Sequence, residues 1–323
     1  MKTPGIVSFL FLGGAKRVTM AQMFRQACRD RGLECSITGY ELDSHCALAI
    51  EGNIEEGVRW SDPDIFTDLD RVCGKYAVDI VIPFVDGAIG IASQFASIPQ
   101  SDVFCPVSPR SIADRMFDKV AAAEYFETLD LPIPTTYREG MPCGRLIAKP
   151  RFGSASKGIV TIDSLQDLYA LRGSESKYLI QERIDHREEI TVDCYIGVRT
   201  GEIVAVSPRI RGEVSGGEAV RSETIGDRDV IELTHRVLQA TGLRGAVTVQ
   251  FIRDLNDGRL MIMEINPRLG GGAVTSVHAS VDLPGLIIDD AMGLPLKPQT
   301  PVTGVETVRY LADVVFYPEK QKL

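Results

Sequence analysis

The sequence predicts an α/β protein, with an open parallel sheet in its amino-terminal part and an α+β arrangement in its carboxyl-terminal part. Strand-like and helix-like stretches alternate over residues 1 to about 110. A β-hairpin is predicted between Gly245 and Gly272, and a loop rich in glycine and serine joins two short strands near residue 150. Alternation of this kind is typical of parallel sheets, whereas hairpins build antiparallel sheets.

Length and composition limit the domain count and the class of partner. A chain of 323 residues is long enough for two or three packed domains or subdomains. A formal charge of −9 argues against a general nucleic-acid-binding surface, which needs basic charge. Seven cysteines without any CxxC pair indicate scattered reduced thiols rather than a disulfide framework or a zinc site.

The apolar run Ile6–Leu12 is too short to span a bilayer, and no A-x-A cleavage site follows it. We interpret it as the first buried strand of a cytoplasmic protein. The other strands predicted in this part cover residues 33–38, 78–84 and 103–107, and the helices cover residues 18–31 and 88–97. Ligands of such a sheet bind beyond the carboxyl ends of the strands, where the sequence places Gly13, Gly14, Asp43 and Asp86. The dinucleotide motif G-x-G-x-x-G is absent.

The middle of the chain carries a candidate phosphate-binding loop. A helix is predicted over 111–129, with Asp118 and Lys119 in its middle. Strands over 146–149 and 159–162 then flank the loop 150–158 (PRFGSASKG), which exposes backbone N–H groups and hydroxyls that suit phosphate oxygens. Lys149 and Lys157 flank the loop and can neutralise phosphate charge. The alternative is a flexible hairpin loop with ordinary solvated lysines.

Further elements are predicted as far as the hairpin and beyond it. Strands are predicted over 178–182, 187–196, 204–207 and 307–316, and helices over 165–171, 230–241 and 286–291. The segment 209–218 contains Arg209 and Arg211 and is predicted to be polar and flexible. It is either a loop for substrate or phosphate, or a surface excursion.

The hairpin itself predicts a cation site. If Asn256, Asp257 and Gly258 form its loop, counting back along both strands places Gln250 opposite Glu264. Side chains alternate along a strand, so Glu264, Asn266 and Arg268 share a face if extended geometry persists to Arg268, whereas Met263 and Ile265 point into the core. Hard cations such as Mg²⁺ take oxygen ligands of this kind. The alternative is an edge strand with a polar solvent face.

Three stretches together resemble one family. KPRFGSASKG at 149–158, QE…REEITVD at 181–193 and VQF…EINPR at 249–268 are similar, in order and spacing, to the ATP-grasp superfamily. The branch they resemble most is that of the carbamoyl phosphate synthase large subunit, which includes stand-alone carboxylate–amine ligases. The resemblance implies an ATP-grasp fold with a pre-ATP-grasp domain at 1–112, a small lid subdomain at 113–200 and a carboxyl-terminal subdomain at 201–323.

The resemblance also implies site roles. It implies that the nucleotide phosphates are contacted by Lys119, Lys149 and the loop that includes Gly153, Ser154, Ser156 and Gly158. It implies that the adenine is bound by Gln181, Glu182 and Ile184, and that the ribose hydroxyls are bound by Glu189. The metal ligands are Gln250, Glu264 and Asn266, although many members of the family carry a carboxylate where Gln250 stands. Arg268 steadies the transferred phosphoryl group, and Arg209 and Arg211 lie where the family binds substrate or phosphate.

The function that the resemblance implies is amide formation between a carboxylate and an amine. ATP would phosphorylate the carboxylate to an acyl phosphate in the presence of Mg²⁺ or Mn²⁺, and ADP and phosphate would be released. The partners would be small molecules, with an anionic donor suited to the arginines, and a homodimer is common in this superfamily. No nucleic acid or membrane partner is expected. Alternatives are a kinase-like enzyme that stops at the acyl phosphate, a non-catalytic nucleotide-binding regulatory protein and a NAD-dependent dehydrogenase.

Overall fold

The computed structural model describes residues 5–98, 102–139, 144–153, 157–171, 173, 175–215 and 218–317. Its strands are β1 (Ile6–Leu12), β2 (Glu34–Glu41), β3 (Asn53–Glu56), β4 (Ile80–Pro83), β5 (Leu146–Pro150), β6 (Val160–Ile162), β7 (Tyr178–Glu182), β8 (Arg187–Ile196), β9 (Ile203–Ser215), β10 (Glu218–Thr224), β11 (Gly245–Asp254), β12 (Leu260–Asn266) and β13 (Glu306–Val308). Its α-helices are α1 (Val18–Asp30), α2 (Ile65–Tyr76), α3 (Asp86–Phe95), α4 (Arg110–Phe117), α5 (Lys119–Thr128), α6 (Leu165–Ala170), α7 (Arg228–Thr241), α8 (Ala273–His278) and α9 (Leu283–Ala291). None of the helices in these ranges is long and apolar enough to span a membrane.

The chain divides into two compact units. Unit 1 comprises Met1–Pro106 and Arg309–Leu323, and unit 2 comprises Val107–Val308. Unit 1 contains the predicted parallel sheet, with strand order β3-β2-β1-β4. Phe9 and Phe11 of β1 are buried and contact Phe24 of α1. Strand β3 and helix α2 lie in a stretch without a prediction, because the sequence of β3 (NIEE) has no apolar alternation.

Unit 2 contains two antiparallel sheets, in the orders β12-β11-β8-β9-β10-β13 and β6-β5-β7. One face of the six-stranded sheet is apolar and packs against helices α4, α5 and α7 through Met116, Phe126 and Val237. Each large side chain buried in such a core contributes about 1.5–3 kcal/mol to stability. Strands β8 and β9 lie on either side of residue 200 and pair from Ile190 opposite Ile210 to Ile196 opposite Ile203, so this sheet spans the expected subdomain boundary.

The prediction of a flexible segment over 209–218 is wrong. Strand β9 continues to Ser215 and pairs with β10, from Thr224 opposite Arg209 to Glu218 opposite Ser215. The segment forms a strand because β10 pairs with it along Arg209 to Ser215 and β8 pairs with its first two residues, which a local count of polar residues does not detect. Residues 216 and 217 lie outside the described ranges.

The helix predicted over 111–129 is two helices, because Asp118 interrupts it. One carboxylate oxygen of Asp118 accepts the backbone N–H groups of Val120 and Ala121, at 3.1 and 3.2 Å, and so begins α5. Arg151 Nε and Nη2 donate to the same carboxylate at 2.8 and 2.6 Å. The break places Lys119 at the first position of α5.

The last predicted strand, 307–316, is also wrong in extent. Strand β13 ends at Val308, where Arg221 of β10 is its partner. Beyond it, Tyr310 and Leu311 are 88% and 99% exposed, so their apolar character does not reflect burial in a sheet.

Candidate functional site

The hairpin of β11 and β12 carries the centre of the site, and Gln250 lies opposite Glu264 as predicted. The local geometry differs from the prediction. Asp254 N donates to Arg259 O at 2.9 Å, which lengthens the predicted loop by one residue. Phe251 pairs with Ile262, and the ladder shifts by one residue between Gln250 and Phe251. A β-bulge therefore restores the predicted pairing.

The bulge corrects the prediction for Met263. Because Met263 is the extra residue, it lies on the same face as Glu264 and packs against Ile184, Ile252 and Met261. Ile265 enters the core of unit 2 as predicted. A simple alternation of side chains cannot place Met263, since it takes no account of an inserted residue.

One polar face of the six-stranded sheet collects the predicted residues. Residues that lie directly opposite one another in a sheet share a face, and Glu264, Gln250, Thr191 and Arg209 follow one another across β12, β11, β8 and β9. A second row contains Asn266, Thr248 and Asp193. The apolar core of unit 2 covers the opposite face. These two rows of polar residues therefore occupy the side of the sheet that the core leaves free.

A small pocket, part of which is open to solvent, lies beside Glu264. Its polar lining residues are Lys119, Gln181 and Glu264, and the rest of its lining is apolar: Met116, Ala122, Ala123, Phe126, Ile133, Leu179, Ile262, Met263 and Ile265. A concave, mostly apolar pocket with a few convergent polar groups is the usual form of a small-molecule site.

Lys149 of β5 is electrostatically linked to the hairpin. Its Nζ donates to Gln181 Oε1 at 3.0 Å, and the buried Gln181 amide donates to Pro134 O at 3.1 Å. Burial lowers the pKa of Lys149 to about 8; the positive charge of Lys119 adds to this effect, while Glu264 opposes it. A bound anion would favour the charged form of Lys149.

Lys119 contacts the glycine- and serine-rich loop. Its Nζ donates to Gly153 O at 2.6 Å, and its backbone N–H donates to Arg151 O at 3.0 Å. Gly153 and Gly158 both adopt positive φ, at 121° and 73°, which favours glycine at these positions. The predicted contacts of Ser154 and Ser156 lie outside the described residues.

Glu182 at the end of β7 is held by groups of the protein. Arg259, at the base of the hairpin loop, donates to its carboxylate at 2.9 and 3.2 Å, and Thr135 donates its N–H at 2.8 Å. Burial works to raise the pKa of Glu182, but the hydrogen bonds from Arg259 and Thr135 outweigh it and lower the pKa. Ile184 is buried against Met263, close to the pocket. The expected adenine contact of Glu182 stays a prediction.

Glu189 and Arg211 form a pair on the polar face. Arg211 Nη1 donates to Glu189 Oε2 at 3.3 Å, and Arg187 Nε donates to Glu189 Oε1 at 3.1 Å. Their ribose and substrate roles stay predictions, but the structure brings both residues to the face that carries Glu264.

Arg209 is 3% exposed and lies in a buried network. Its Nε donates to Asp193 Oδ2 at 2.8 Å, and Ser276 Oγ donates to the same oxygen at 2.8 Å. A Cβ atom on Gly272 would lie 2.6 Å from the guanidinium of Arg209. The loop after the hairpin therefore packs against Arg209 at a distance that requires glycine. This packing favours a positioning role for Arg209 over direct contact with a substrate.

Arg268 does not continue the strand as the extended prediction required, because β12 ends at Asn266 and Pro267 follows. The backbone turns, with Arg268 N donating to Asn266 O at 2.8 Å. The side chain nevertheless returns to the site, since Arg268 Nη2 lies 3.5 Å from Asn266 Oδ1. Thr248 Oγ1 donates to Arg268 O at 3.0 Å and fixes the turn.

The donor set fits a hard cation that also has phosphate ligands. Gln250, Glu264 and Asn266 offer one carboxylate and two amide oxygens on one face. Mg²⁺ is typically bound by one or two carboxylates together with substrate phosphates and water. Within the described ranges, no group of three or more His, Cys, Asp or Glu residues is placed to hold a metal ion without such help.

Three residues of the site were missed. Thr191 lies between Gln250 and Arg209, and its buried hydroxyl has no hydrogen-bond partner among the described residues. Asp193 holds Arg209, and Arg259 holds Glu182. Glu189, Thr191 and Asp193 are spaced two residues apart along β8, so their side chains lie on the same face. This spacing within REEITVD was the sequence signal that could have identified Thr191 and Asp193. Nothing local to Arg259 indicates its distant partner.

Comparisons with known proteins bear on the family and the fold of this chain. Residues 174–314 match a family model described as "ATP-grasp in the biosynthetic pathway with Ter operon". The carbamoyl phosphate synthase large chain of Thermoanaerobacter sp. (strain X514) is 27% identical over 188 residues, which cover 50% of this chain and 17% of that protein. The aligned part is therefore less than a fifth of that relative's length.

Solved structures are similar over almost the whole chain. An N5-carboxyaminoimidazole ribonucleotide synthetase (purK) in complex with ADP has a TM-score of 0.73 at 16% identity, covering 95% of this chain and 82% of that one. The biotin carboxylase domain dimer of Hydrogenobacter thermophilus 2-oxoglutarate carboxylase, with MgADP, ADP and bicarbonate, has a TM-score of 0.71 at 14% identity, covering 92% and 72%. The resemblance to the ATP-grasp superfamily is confirmed by these matches, and this chain has the ATP-grasp fold.

Proposed function

We propose that this protein is an ATP-dependent carboxylate–amine ligase, which forms an amide through an acyl phosphate and releases ADP and phosphate. The observation that carries the proposal is the convergence of Glu264, Asn266 and Gln250 on one face, beside a pocket that Lys119 lines and close enough for Glu264 to act on the pKa of Lys149. Phosphoryl transfer needs positioning and neutralisation of charge more than covalent participation by the protein.

Each group of site residues has a separate proposed role. Lys149 and Lys119 neutralise the nucleotide phosphates, and the apolar part of the pocket takes the adenine. Arg268 faces the transferred group, and Arg211 orients the anionic substrate. The proposed cover of the acyl phosphate is the loop over 151–158, of which residues 154–156 lie outside the described ranges; it would exclude the water that otherwise hydrolyses the intermediate.

Gln250, Glu264 and Asn266 are the proposed ligands of Mg²⁺. When bound, the ion supplies charge stabilisation at the phosphate oxygens. The amide at Gln250 makes this set weaker electrostatically than one with two carboxylates. Glu264 therefore carries most of the proposed affinity for the ion.

The test is thermal unfolding with a non-hydrolysable ATP analogue, with and without Mg²⁺. At a ligand concentration near 100 times the dissociation constant, the expected stabilisation is about 2.7 kcal/mol, which shifts Tm by roughly 5–10 °C for a unit of this size. In Glu264→Gln the metal-dependent part of the shift should disappear. Glu223→Gln is the matched control, because Glu223 is exposed on the same sheet and lies outside the site.

A Tm that does not respond to the nucleotide, with or without the ion, contradicts the proposal and favours a non-catalytic role. If binding is confirmed, carboxylate and amine pairs are screened for ADP release. Transfer of an isotope-labelled amine into an isolable amide then separates a ligase from an enzyme that stops at the acyl phosphate.

A further inference from the structure

Thr191 of β8 carries a buried hydroxyl group on the polar face of the six-stranded sheet. The residue is 1% exposed, and its Oγ1 makes no hydrogen bond to any residue that the structure describes. A buried hydroxyl without a hydrogen bond destabilises a folded protein, so its retention requires an explanation. Because the hydroxyl is shielded from solvent, we expect any role in the site to act through a neighbouring side chain.

Thr191 lies directly opposite Gln250 of β11 on one side and directly opposite Arg209 of β9 on the other. Side chains paired in this way have Cβ atoms about 4.5–5.5 Å apart, which a long polar side chain can bridge with a hydrogen bond. Arg209 is directed elsewhere, since its Nε donates to Asp193 Oδ2 at 2.8 Å and its Nη1 donates to Ser222 Oγ at 3.3 Å. Gln250 therefore remains as the neighbour for the Thr191 hydroxyl.

Gln250 needs such a neighbour because the two ends of its amide differ. As a proposed ligand of Mg²⁺, Gln250 has to present its oxygen, since the ion takes oxygen ligands and the NH₂ group only donates hydrogen bonds. A carboxylate at this position has two equivalent oxygens and meets the requirement in either orientation. For an amide, a hydrogen-bond acceptor at the nitrogen selects one of the two orientations.

We propose that Thr191 is a positioning residue for the metal site, whose hydroxyl accepts a hydrogen bond from Gln250 Nε2 and so leaves Oε1 of the amide free for the ion. This inference rests on the function proposed above and extends it to a residue outside the ligand set. The same hydrogen bond gives the buried hydroxyl the partner that it lacks among the described residues. Removing a partner that orients a metal ligand typically lowers metal affinity by about 10–100-fold.

The test measures the binding of Mn²⁺, which substitutes for Mg²⁺ at oxygen sites, from the electron paramagnetic resonance signal of the free ion. The full-length chain is titrated in the presence of ADP, with ADP alone as the blank. Thr191→Val removes the hydroxyl and keeps the branched shape, so the affinity for Mn²⁺ should fall about tenfold. Thr191→Ser keeps the hydroxyl and should bind Mn²⁺ as tightly as the unmodified chain.

Thermal unfolding without metal separates this role from a structural one. Thr191→Val replaces an unsatisfied buried hydroxyl by a methyl group, so its Tm should equal or exceed that of the unmodified chain. A lower Tm would show that the hydroxyl supports the fold itself and would overturn the proposal.

Ser207→Ala is the matched control. Ser207 lies opposite Asp193 on the same face of the sheet, and its buried hydroxyl also has no hydrogen-bond partner within the described part of the chain. Because Ser207 is not opposite Gln250, its loss should leave the affinity for Mn²⁺ unchanged. An equal loss of affinity in Ser207→Ala and Thr191→Val would contradict a specific role for Thr191.

A double-mutant cycle tests whether the effect depends on the Gln250 amide. In Gln250→Glu the ligand has two equivalent oxygens, so the addition of Thr191→Val should leave the affinity for Mn²⁺ unchanged. An equal loss in both backgrounds, or no loss in Thr191→Val alone, would reject the role of Thr191 and leave the proposed metal site standing. If the unmodified chain binds no Mn²⁺ beyond the ADP blank, the proposed function fails and this inference fails with it.

Discussion

At Lys149, burial and negative charge act in opposite directions on one ammonium group. Its pKa is lowered to about 8, so the free protein loses this charge as the pH rises through about 8. Binding of a phosphate needs the charged form. We therefore predict full nucleotide affinity below pH 8 and a loss of up to about tenfold per pH unit above it.

The measurement is the dissociation constant of ADP between pH 7 and 9.5. Lys149→Arg is the control, because its guanidinium stays charged over this range and should make the profile flat. A flat profile in the unmodified protein would show that Lys149 does not contact the nucleotide.

The buried pair of Asp193 and Arg209 gives a second prediction. Asp193→Asn keeps the shape of the side chain but leaves the Arg209 charge without its buried partner, which should cost about 3–5 kcal/mol of unfolding free energy. Urea unfolding measures this loss. The exposed pair of Arg221 and Glu306 is the control, and Glu306→Gln should change stability by less than about 1 kcal/mol. Similar losses in both variants would contradict a structural role for the buried charge.

Single residues were predictable where a short motif carried them. Glu264, Asn266 and Lys149 follow from EINPR and KPRFG, and the structure brings them together. Asp193 was not assigned, because its importance comes from Arg209 on the next strand and Ser276 on a later helix. Such partners are fixed only once the sheet has formed.

At the scale of elements, Arg259 connects the hairpin to strand β7. Its guanidinium contacts the carboxylates of Glu182, Asp254 and Asp257, so Arg259→Gln leaves three negative groups close together. Because Arg259 is 44% exposed, we predict a loss of no more than about 1 kcal/mol at pH 7.

The pH dependence of this loss follows from the lowered pKa of Glu182. The ion pair stabilises the fold above the ordinary value of 4.5, and this contribution disappears as the pH falls through the lower folded-state value. Urea unfolding at pH 7 and at low pH should therefore show the variant and the unmodified protein converging in acid. Arg110→Gln, which breaks an exposed pair within α4, is the control. A difference that persists in acid would exclude the Glu182 contact as its cause.

Element boundaries depended on distant partners. The apolar run of β1 and the periodicity of α7 were enough to predict both elements. The break at Asp118 was not predictable, since it is reinforced by Arg151 from the following loop. The polar segment with Arg209 and Arg211 became a strand for a similar reason, because it pairs with β10, a strand that follows it in the sequence.

For the whole molecule, net charge gives the final prediction. A chain with formal charge −9 should not be retained on heparin or on double-stranded DNA at low salt. Nucleotide binding must then depend on the local cations near the pocket. Retention that falls steeply with added salt would contradict this expectation, and Lys149→Met would test whether the pocket is responsible.

The overall architecture, a parallel sheet followed by antiparallel sheets, was predictable from the alternation of strand-like and helix-like stretches and from the predicted hairpin. The extent of the six-stranded sheet was not, because it assembles strands from β8 to β13 whose order in space is not their order in sequence.

The bulge at Met263 has a consequence for any systematic substitution of the hairpin. Along a regular strand, tolerance to polar residues would alternate strictly from one position to the next. Here the profile should contain two neighbouring positions, Met263 and Glu264, on the same face of the sheet. They are flanked by Ile262 and Ile265, which belong to the core as well as the pocket lining and should therefore also lower stability when changed. Deleting Met263 would regularise the ladder and still leave Gln250 opposite Glu264, so this hairpin should survive the loss of that residue better than the loss of either neighbour.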